Sequence, residues 1–229
     1  KFENDLFMAT SSGQVKKIAL ENFSNPRSSG VRAINLPLDN SDTLIDVKPI
    51  IKGQEVMLIS LKGQAIRFNS DEVREMGRAS YGVTGIKLDK GDKVVSLEIL
   101  PVERDKTTVL TITQKGYGKR SEVEDYRLTG RAGKGVINVK VTDKTGDVVT
   151  SVSVKDRDPI VVTTAKGMVI KTSVKDIRVM GRATQGVRII KLRTGDSVTD
   201  LVKLEKDEDL PDELNVKELQ ESIEGKANQ

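Results

Sequence analysis

Positive charge recurs along this chain at fixed distances from glycine, and that spacing suits the capture of a polyanion. Four residues after the glycines Gly13, Gly63, Gly116 and Gly167 stand Lys17, Arg67, Arg120 and Lys171. Further along, three segments repeat the order acid, apolar, Arg, two variable residues, Gly, Arg. They supply Arg74 and Arg78 (residues 72–78), Arg127 and Arg131 (125–131), and Arg178 and Arg182 (176–182). The first segment is two residues shorter at this point, and Arg27 takes the place of its arginine. Lys16, Arg32, Lys119, Lys134 and Arg188 stand beside these columns. Guanidinium and ammonium groups donate charge-assisted hydrogen bonds to phosphate oxygens. Duplex DNA presents one such charge per about 1.7 Å of its axis, so a periodic row of cations matches it. Phosphate contacts set register without reading bases, so sequence preference is expected only through the ease of bending.

A bland alternative stands beside this reading. Each arginine of the connection could pair with the acid two residues before it, and exposed pairs of that kind contribute only about 0–1 kcal/mol. Such pairing leaves the column Lys17, Arg67, Arg120 and Lys171 without a matching acidic column. It also leaves the charge distribution unexplained. The net charge of +4 divides unevenly: residues 205–229 hold nine acids and three bases, a net of −6, so 1–204 carries +10. A basic body with an acidic end reads as a polyanion binder that carries its own competitor.

Composition excludes several other chemistries. The chain has no histidine and no cysteine, which removes the commonest general base, the commonest metal ligand and any disulfide framework. No apolar run reaches membrane-spanning length and no signal peptide is visible, so a soluble cytoplasmic protein without a membrane or small-molecule partner is expected. The glycine-rich run 130–135 resembles a phosphate loop but lacks the Lys-Ser/Thr ending, so nucleotide hydrolysis is not expected there. The chain opens on Lys1 and enters a repeat almost at once, which reads as a segment of a longer protein.

The elements that must position the cations follow from the same repeat. The glycine-anchored segments lie roughly 50 residues apart, a period typical of propellers and arrays. Each unit opens with a β-branched run (56–60, 109–113, 160–164), turns at a glycine, and returns as a second strand such as 65–69 or 169–173. The glycine predicts a two-residue hairpin with positive φ. A connection of about a dozen residues ends at Gly30, Gly82, Gly135 or Gly186 and leads into a third strand (31–36, 83–88, 136–141, 187–192). A fourth strand closes each unit (44–50, 94–100, 148–154, 198–204). Four strands per unit, repeated about 1–52, 53–104, 105–157 and 158–204, predict an all-β, propeller-like domain over 1–204. With aromatics at only 3%, its core must be Val, Ile and Leu. The acidic tail 205–229 reads as solvated, with a short helix possible from Pro211 through Leu214, Leu219 and Ile223.

Taken together, the runs GQVKKIAL, GVTGIKLDKGDKVVSL, QKGYGKRSEVEDY, GRAGKGVINVKVT and VMGRATQGVRIIKL closely resemble the C-terminal domain of DNA gyrase A across essentially 1–204. The resemblance implies a β-pinwheel, a propeller-like ring whose neighbouring blades exchange strands. It implies a non-catalytic module that wraps double-stranded DNA around a basic rim, in support of ATP-dependent negative supercoiling by a type II topoisomerase. The cleaving tyrosine would lie in the N-terminal region of gyrase A, so Tyr81, Tyr117 and Tyr126 are not that nucleophile. ATP and Mg2+ would bind elsewhere in the holoenzyme, which gyrase B completes, and no cofactor is expected in this segment. The four repeats correspond to the last four of about six blades. The family's Gln-Arg-Arg-Gly-Gly-Lys-Gly box is absent, and its nearest local match is residues 129–135. The counterpart C-terminal domain of topoisomerase IV is therefore the first alternative, and a propeller used as a protein-interaction platform the second.

Overall fold

The structure is a computed structural model that describes residues 4–204. The acidic tail, its possible helix and its proposed competition with DNA lie outside the described residues. Within them the chain forms fifteen strands and four short 3-10 segments, arranged as four successive blades. Blade 1 contains β1 (Asp5–Thr10), β2 (Gln14–Ala19) and β3 (Leu44–Ile50). Blade 2 contains β4 (Glu55–Ser60), β5 (Gln64–Asn69), β6 (Val83–Thr84) and β7 (Val94–Leu100). Blade 3 contains β8 (Thr108–Thr113), β9 (Tyr117–Glu122), β10 (Val136–Ile137) and β11 (Val148–Val154). Blade 4 contains β12 (Pro159–Thr164), β13 (Val169–Ser173), β14 (Val187–Arg188) and β15 (Val198–Lys203).

The opening strand of each unit is apolar on both faces because both faces are buried. In β4, Val56 and Leu58 point into a core shared with Phe7, Val15 and Ile50 of blade 1. Their neighbours Met57 and Ile59 point the other way, into a core shared with Val109, Tyr126 and Val148 of blade 3. Successive side chains of a strand alternate faces, so one strand serves two cores. Leu110 and Ile112 of β8 join Ile160, Val162 and Leu201 in the third core. Aliphatic packing dominates as expected, with one tilted aromatic pair, Phe7 and Phe68, at 6.4 Å between ring centroids.

Sheet order shows how the blades are joined. The sheets run β3-β1-β2-β6, β7-β4-β5-β10, β11-β8-β9-β14 and β15-β12-β13. Each short third strand therefore leaves its own unit and completes the sheet of the preceding blade, the exchange that defines a pinwheel. The third strands are shorter than expected: each pairs over two residues, as in Val83 with Val15 and Thr84 with Gln14. The chain then drops beneath the neighbouring hairpin turn, where the Gly13 carbonyl accepts both the Gly85 and Ile86 N–H groups at 2.8 and 3.4 Å. The same arrangement recurs at Gly63 with Asn138 and Val139, and at Gly116 with Ile189 and Ile190. No strand forms over residues 31–36 in the described part of the chain.

The hairpin loops also differ from expectation. Each has three residues and not two, because the Gly13 N–H closes a turn onto Thr10 O and Gly167 N–H closes one onto Thr164 O. Glycine takes the last loop position at φ +84° in Gly13 and +79° in Gly167. This is the three-residue hairpin in which the final residue is left-handed. A Cβ on Gly63 would overlap the Val139 carbonyl of the exchanged strand, whereas one on Gly167 would meet open space. Left-handed backbone alone costs a non-glycine residue about 1–2 kcal/mol. Gly167→Ala should lose about that much in urea denaturation. Gly63→Ala should lose at least about 2 kcal/mol more, because it also pushes the exchanged strand off its acceptor.

Candidate nucleic-acid interface

The sixteen cations singled out in the sequence divide by the direction of their side chains. In the column four residues after the turn glycine, Lys17, Arg67 and Arg120 face the next blade and bind its backbone. Arg67 is buried, with its Nη1 donating to Val123 O and Tyr126 O, both at 2.9 Å. Its Nε donates to Glu55 Oε2 at 2.6 Å. Arg104 holds the same carboxylate from the other side, with contacts at 2.5 and 2.9 Å. Burial pushes the Glu55 carboxyl up, but hydrogen bonds and charge from Arg104 and Arg67 outweigh this and leave it below the usual glutamate value. Arg120 repeats the motif one blade on, donating to Ile177 O and to Asp156. Lys17 donates to Ser70 O at 3.3 Å. The backbone of the column is engaged as well, since Lys17 O, Arg67 O and Arg120 O accept the N–H groups of Met76, Thr129 and Met180.

Three members of this column, Lys17, Arg67 and Arg120, are therefore partnered where the sequence suggested none, and Lys171 is exposed. The three take main-chain carbonyls of the next blade as partners, which a sequence does not display as a charge pattern. Lys16 and Lys119 are also withdrawn from the surface, both at 0% exposure. Lys16 Nζ donates to Ala33 O and Arg78 O at 2.8 and 2.6 Å. Lys119 Nζ donates to Ser121 Oγ and Gly181 O. Lys16, Arg67, Lys119 and Arg120 thus turn their nitrogens onto protein acceptors and latch neighbouring blades together.

The remaining set faces outward. Arg27, Arg32, Arg74, Arg78, Arg127, Lys134, Lys171, Arg178 and Arg188 are exposed, and Arg131 and Arg182 are half-buried. The connection that carries most of them, Lys171 of β13 and Arg188 of β14 excepted, begins with a 3-10 turn in each blade: Leu20–Phe23, Ser70–Glu72, Val123–Asp125 and Val174–Asp176. These turns were not read from the sequence, although Asn69 and Ser173 each cap one by accepting the N–H two residues on. The turn aims the following arginine outward while an apolar neighbour, such as Val73 or Ile177, anchors in the core. The expected pairing of Arg74 with Glu72 is not made. Glu72 instead accepts the Arg131 backbone N–H at 2.9 Å.

Two arginines of the Gly-Arg loops reach back over the exchanged strands. Arg131 Nη1 donates to Thr84 O at 2.9 Å, and Arg182 Nη1 donates to Ile137 O at 3.0 Å. Arg188 lies over the Tyr117 ring at 5.5 Å and donates to its hydroxyl, which lowers the phenol's pKa. Lys134 forms an exposed pair with Asp89 at 3.0 Å, an interaction that solvent screens. The opposite, inner side of the blades is lined by β3, β7, β11 and β15 around a cavity of about 590 Å³. There Glu98 is satisfied by Lys48 at 2.5 Å and by the Ser153 N–H at 2.8 Å. Among the described residues no group of three or more His, Cys, Asp or Glu could hold a metal ion. No helix there is long and apolar enough to cross a membrane.

Two consequences can be checked on stability. Arg67→Met removes the latch and strips Glu55 of one of its two cations. The unfolding free energy should fall by about 3 kcal/mol, the range for breaking a buried pair. Burial lowers the Lys119 amine from 10.5 to about 7. From that value up to the ordinary lysine range the unfolded chain binds a proton that the folded chain does not, so stability from this residue rises with pH. Lys119→Met removes this dependence, so its stability relative to the parent should be highest near about pH 6 and fall steadily from about pH 7 toward the ordinary lysine range in urea titrations.

Comparison with known proteins accords with this geometry. The family described as DNA gyrase C-terminal domain, beta-propeller, matches residues 4–51, 54–101, 107–155 and 158–205, one match per blade. The DNA gyrase A protein of Salmonella typhimurium (strain LT2) is 46% identical over 200 residues, covering 87% of this chain and 22% of that protein. The chain thus spans under a quarter of that relative's length. A solved DNA gyrase A C-terminal domain superposes with a TM-score of 0.81 at 26% identity, covering 90% of this chain and 67% of that one. The C-terminal domain of DNA topoisomerase IV gives 0.83 at 25% identity, covering 99% and 68%. With the family matched blade by blade over most of its length, this chain belongs to the DNA gyrase C-terminal domain, beta-propeller, family.

Proposed function

We propose that this chain is a non-catalytic module that binds duplex DNA along its outer face and bends it, as part of a gyrase A protein. The observation that carries this reading is the outward set of arginines. Arg74, Arg127 and Arg178 occupy the same place in three successive blades, all exposed. Each directly follows an anchored apolar residue, so the three cations are held at repeated points of one curved surface. Bending a 20–30 bp site by 40–90° costs on the order of 1–6 kcal/mol. Contacts distributed over several blades offset that cost, whereas a single patch does not. Gyrase is favoured over topoisomerase IV because curated relatives at 41–46% identity are DNA gyrase A proteins, whereas the solved gyrase A and topoisomerase IV domains, at 26% and 25%, do not separate the two.

In this reading the chain itself breaks no bond. DNA cleavage and ATP hydrolysis belong to the rest of gyrase A and to gyrase B, whose substrate segment this module would hold. The fold needs no cofactor for that task. The inner latch residues contribute indirectly, by fixing the angle between blades and hence the curvature of the DNA path.

The test is duplex binding across a salt series, with bent and straight fragments in parallel. Each phosphate neutralised adds about −0.9 to the slope of log affinity against log salt. Arg74→Ala, Arg127→Ala and Arg178→Ala together should make the slope shallower by about 2–3 and reduce the preference for bent DNA. Their urea midpoint should stay unchanged. Affinity and slope equal to the parent's would remove the outer face as the binding surface.

A further inference from the structure

One blade junction carries a cluster of cations that the row of Arg74, Arg127 and Arg178 does not include. The exchanged strands pair in one register, so the residues that close each sheet edge compare directly. Gln14 pairs with Thr84 in blade 1, and Gln64 pairs with Ile137 in blade 2. In blade 3 the same two places hold Tyr117 and Arg188. The Arg188 guanidinium lies 5.5 Å from the centre of the Tyr117 ring, and its Nη2 donates to the Tyr117 hydroxyl at 3.0 Å. A second cation, Lys144 Nζ, stands 5.3 Å from the same ring centre. Lys144 comes two residues before the loop glycine Gly146, where blade 2 has Asp89 before Gly91. Asp89 answers the cation of Lys134 at 3.0 Å. Blade 3 thus places a cation where blade 2 places an acid.

Neither Lys144 nor Arg188 forms an ion pair among the described residues, and both are exposed. Two like charges drawn onto one ring repel each other, and an anion between them removes that repulsion. The Tyr117 hydroxyl accepts from Arg188, which leaves its own O–H to donate. Guanidinium, ammonium and phenol therefore present three donors to one point, a set that suits the two free oxygens of a phosphodiester. The cluster also sits apart from the arginine row. Val179, next to Arg178, bridges Arg120 of β9. Three residues of β9 separate Arg120 from Tyr117, about 10 Å at the rise of an extended strand.

We propose that Arg188, Lys144 and Tyr117 hold a backbone phosphate of duplex DNA, so that blade 3 grips the duplex at two levels of its outer edge. This rests on the reading of the outer face as the DNA-binding surface, and it adds where the duplex is fixed across the width of that face. Arg178 holds it at the level of the 3-10 turn, and the new cluster holds it at the level of the hairpin turn. Thr84 and Ile137 carry no charge, so the edges of blades 1 and 2 lack this second hold.

The test uses the full 229-residue chain, which has no cysteine, so a single introduced one is a unique attachment point. Asp143→Cys stands beside Lys144 and Val179→Cys beside Arg178, both at exposed positions. Each variant is mixed with duplex DNA that bears an activated disulfide on a short tether at one backbone phosphate. Trapping should occur at both positions. In a salt series, Lys144→Ala with Arg188→Ala should make the slope of log affinity against log salt shallower by about 0.9, the share of one phosphate. Tyr117→Phe keeps the ring and both cations, and should weaken binding about two- to tenfold with the slope unchanged. Trapping at Val179→Cys and not at Asp143→Cys would overturn the proposal while leaving the outer face as the binding surface. A double variant with the parent's slope would overturn it equally. Trapping at neither position would overturn both readings.

Discussion

The structure depends on the carbonyl of a turn glycine that accepts two N–H groups from the next blade. At Gly13, Gly63 and Gly116 this contact fixes where the exchanged strand ends and how closely two sheets approach. It explains why the turn must be glycine twice over. The backbone is left-handed there, and the incoming strand passes where a side chain would stand. The hydrophobic cores are then forced to lie between blades and not within one. A strand such as β4 must be apolar on both faces, because each face belongs to a different core. A single blade has no core of its own, which makes the fold a cooperative chain of junctions.

Charge serves two separate ends on this scaffold. Lysine and arginine in the hairpin strands turn toward the next blade and satisfy carbonyls that the irregular connection leaves without partners. The buried polar groups of that connection require such donors, since an unsatisfied buried carbonyl costs about 1–3 kcal/mol. Arginines just after the 3-10 turns point outward and remain available for an anion. Residues of one type, separated by only a few positions, thus face opposite ways, one set into the protein and the other into solvent. What separates them is the direction of Cβ set by the local backbone.

Much of this was legible in the sequence, for identifiable reasons. The paired strands of each hairpin and the closing strands fell within a residue or two of their expected places, because β-branched runs bounded by glycine leave little freedom. The third strands were overestimated. Residues 83–88 look like six residues of strand, but after Thr84 the chain descends beneath the Gly13 turn and its N–H groups converge on one carbonyl. The 3-10 turns were missed because only two of the four carry a capping residue, Asn69 or Ser173, while Ala19 and Glu122 precede the others without one. The candidate cations were legible only as a pool. Periodicity marked Arg67 and Arg120 as special, and they are, but their acceptors are main-chain oxygens about sixty residues away, invisible to any charge pattern.

A curved path of duplex DNA over the outer face, as proposed, would leave a topological signature in a closed circle. The most direct measurement is the linking number of a nicked circular plasmid ligated in the presence of increasing amounts of the chain. A bent and wound path predicts a topoisomer distribution displaced in one direction, with the displacement growing as protein is added and collapsing at high salt. A distribution identical to that of free DNA, under conditions where the protein is bound, would contradict the account.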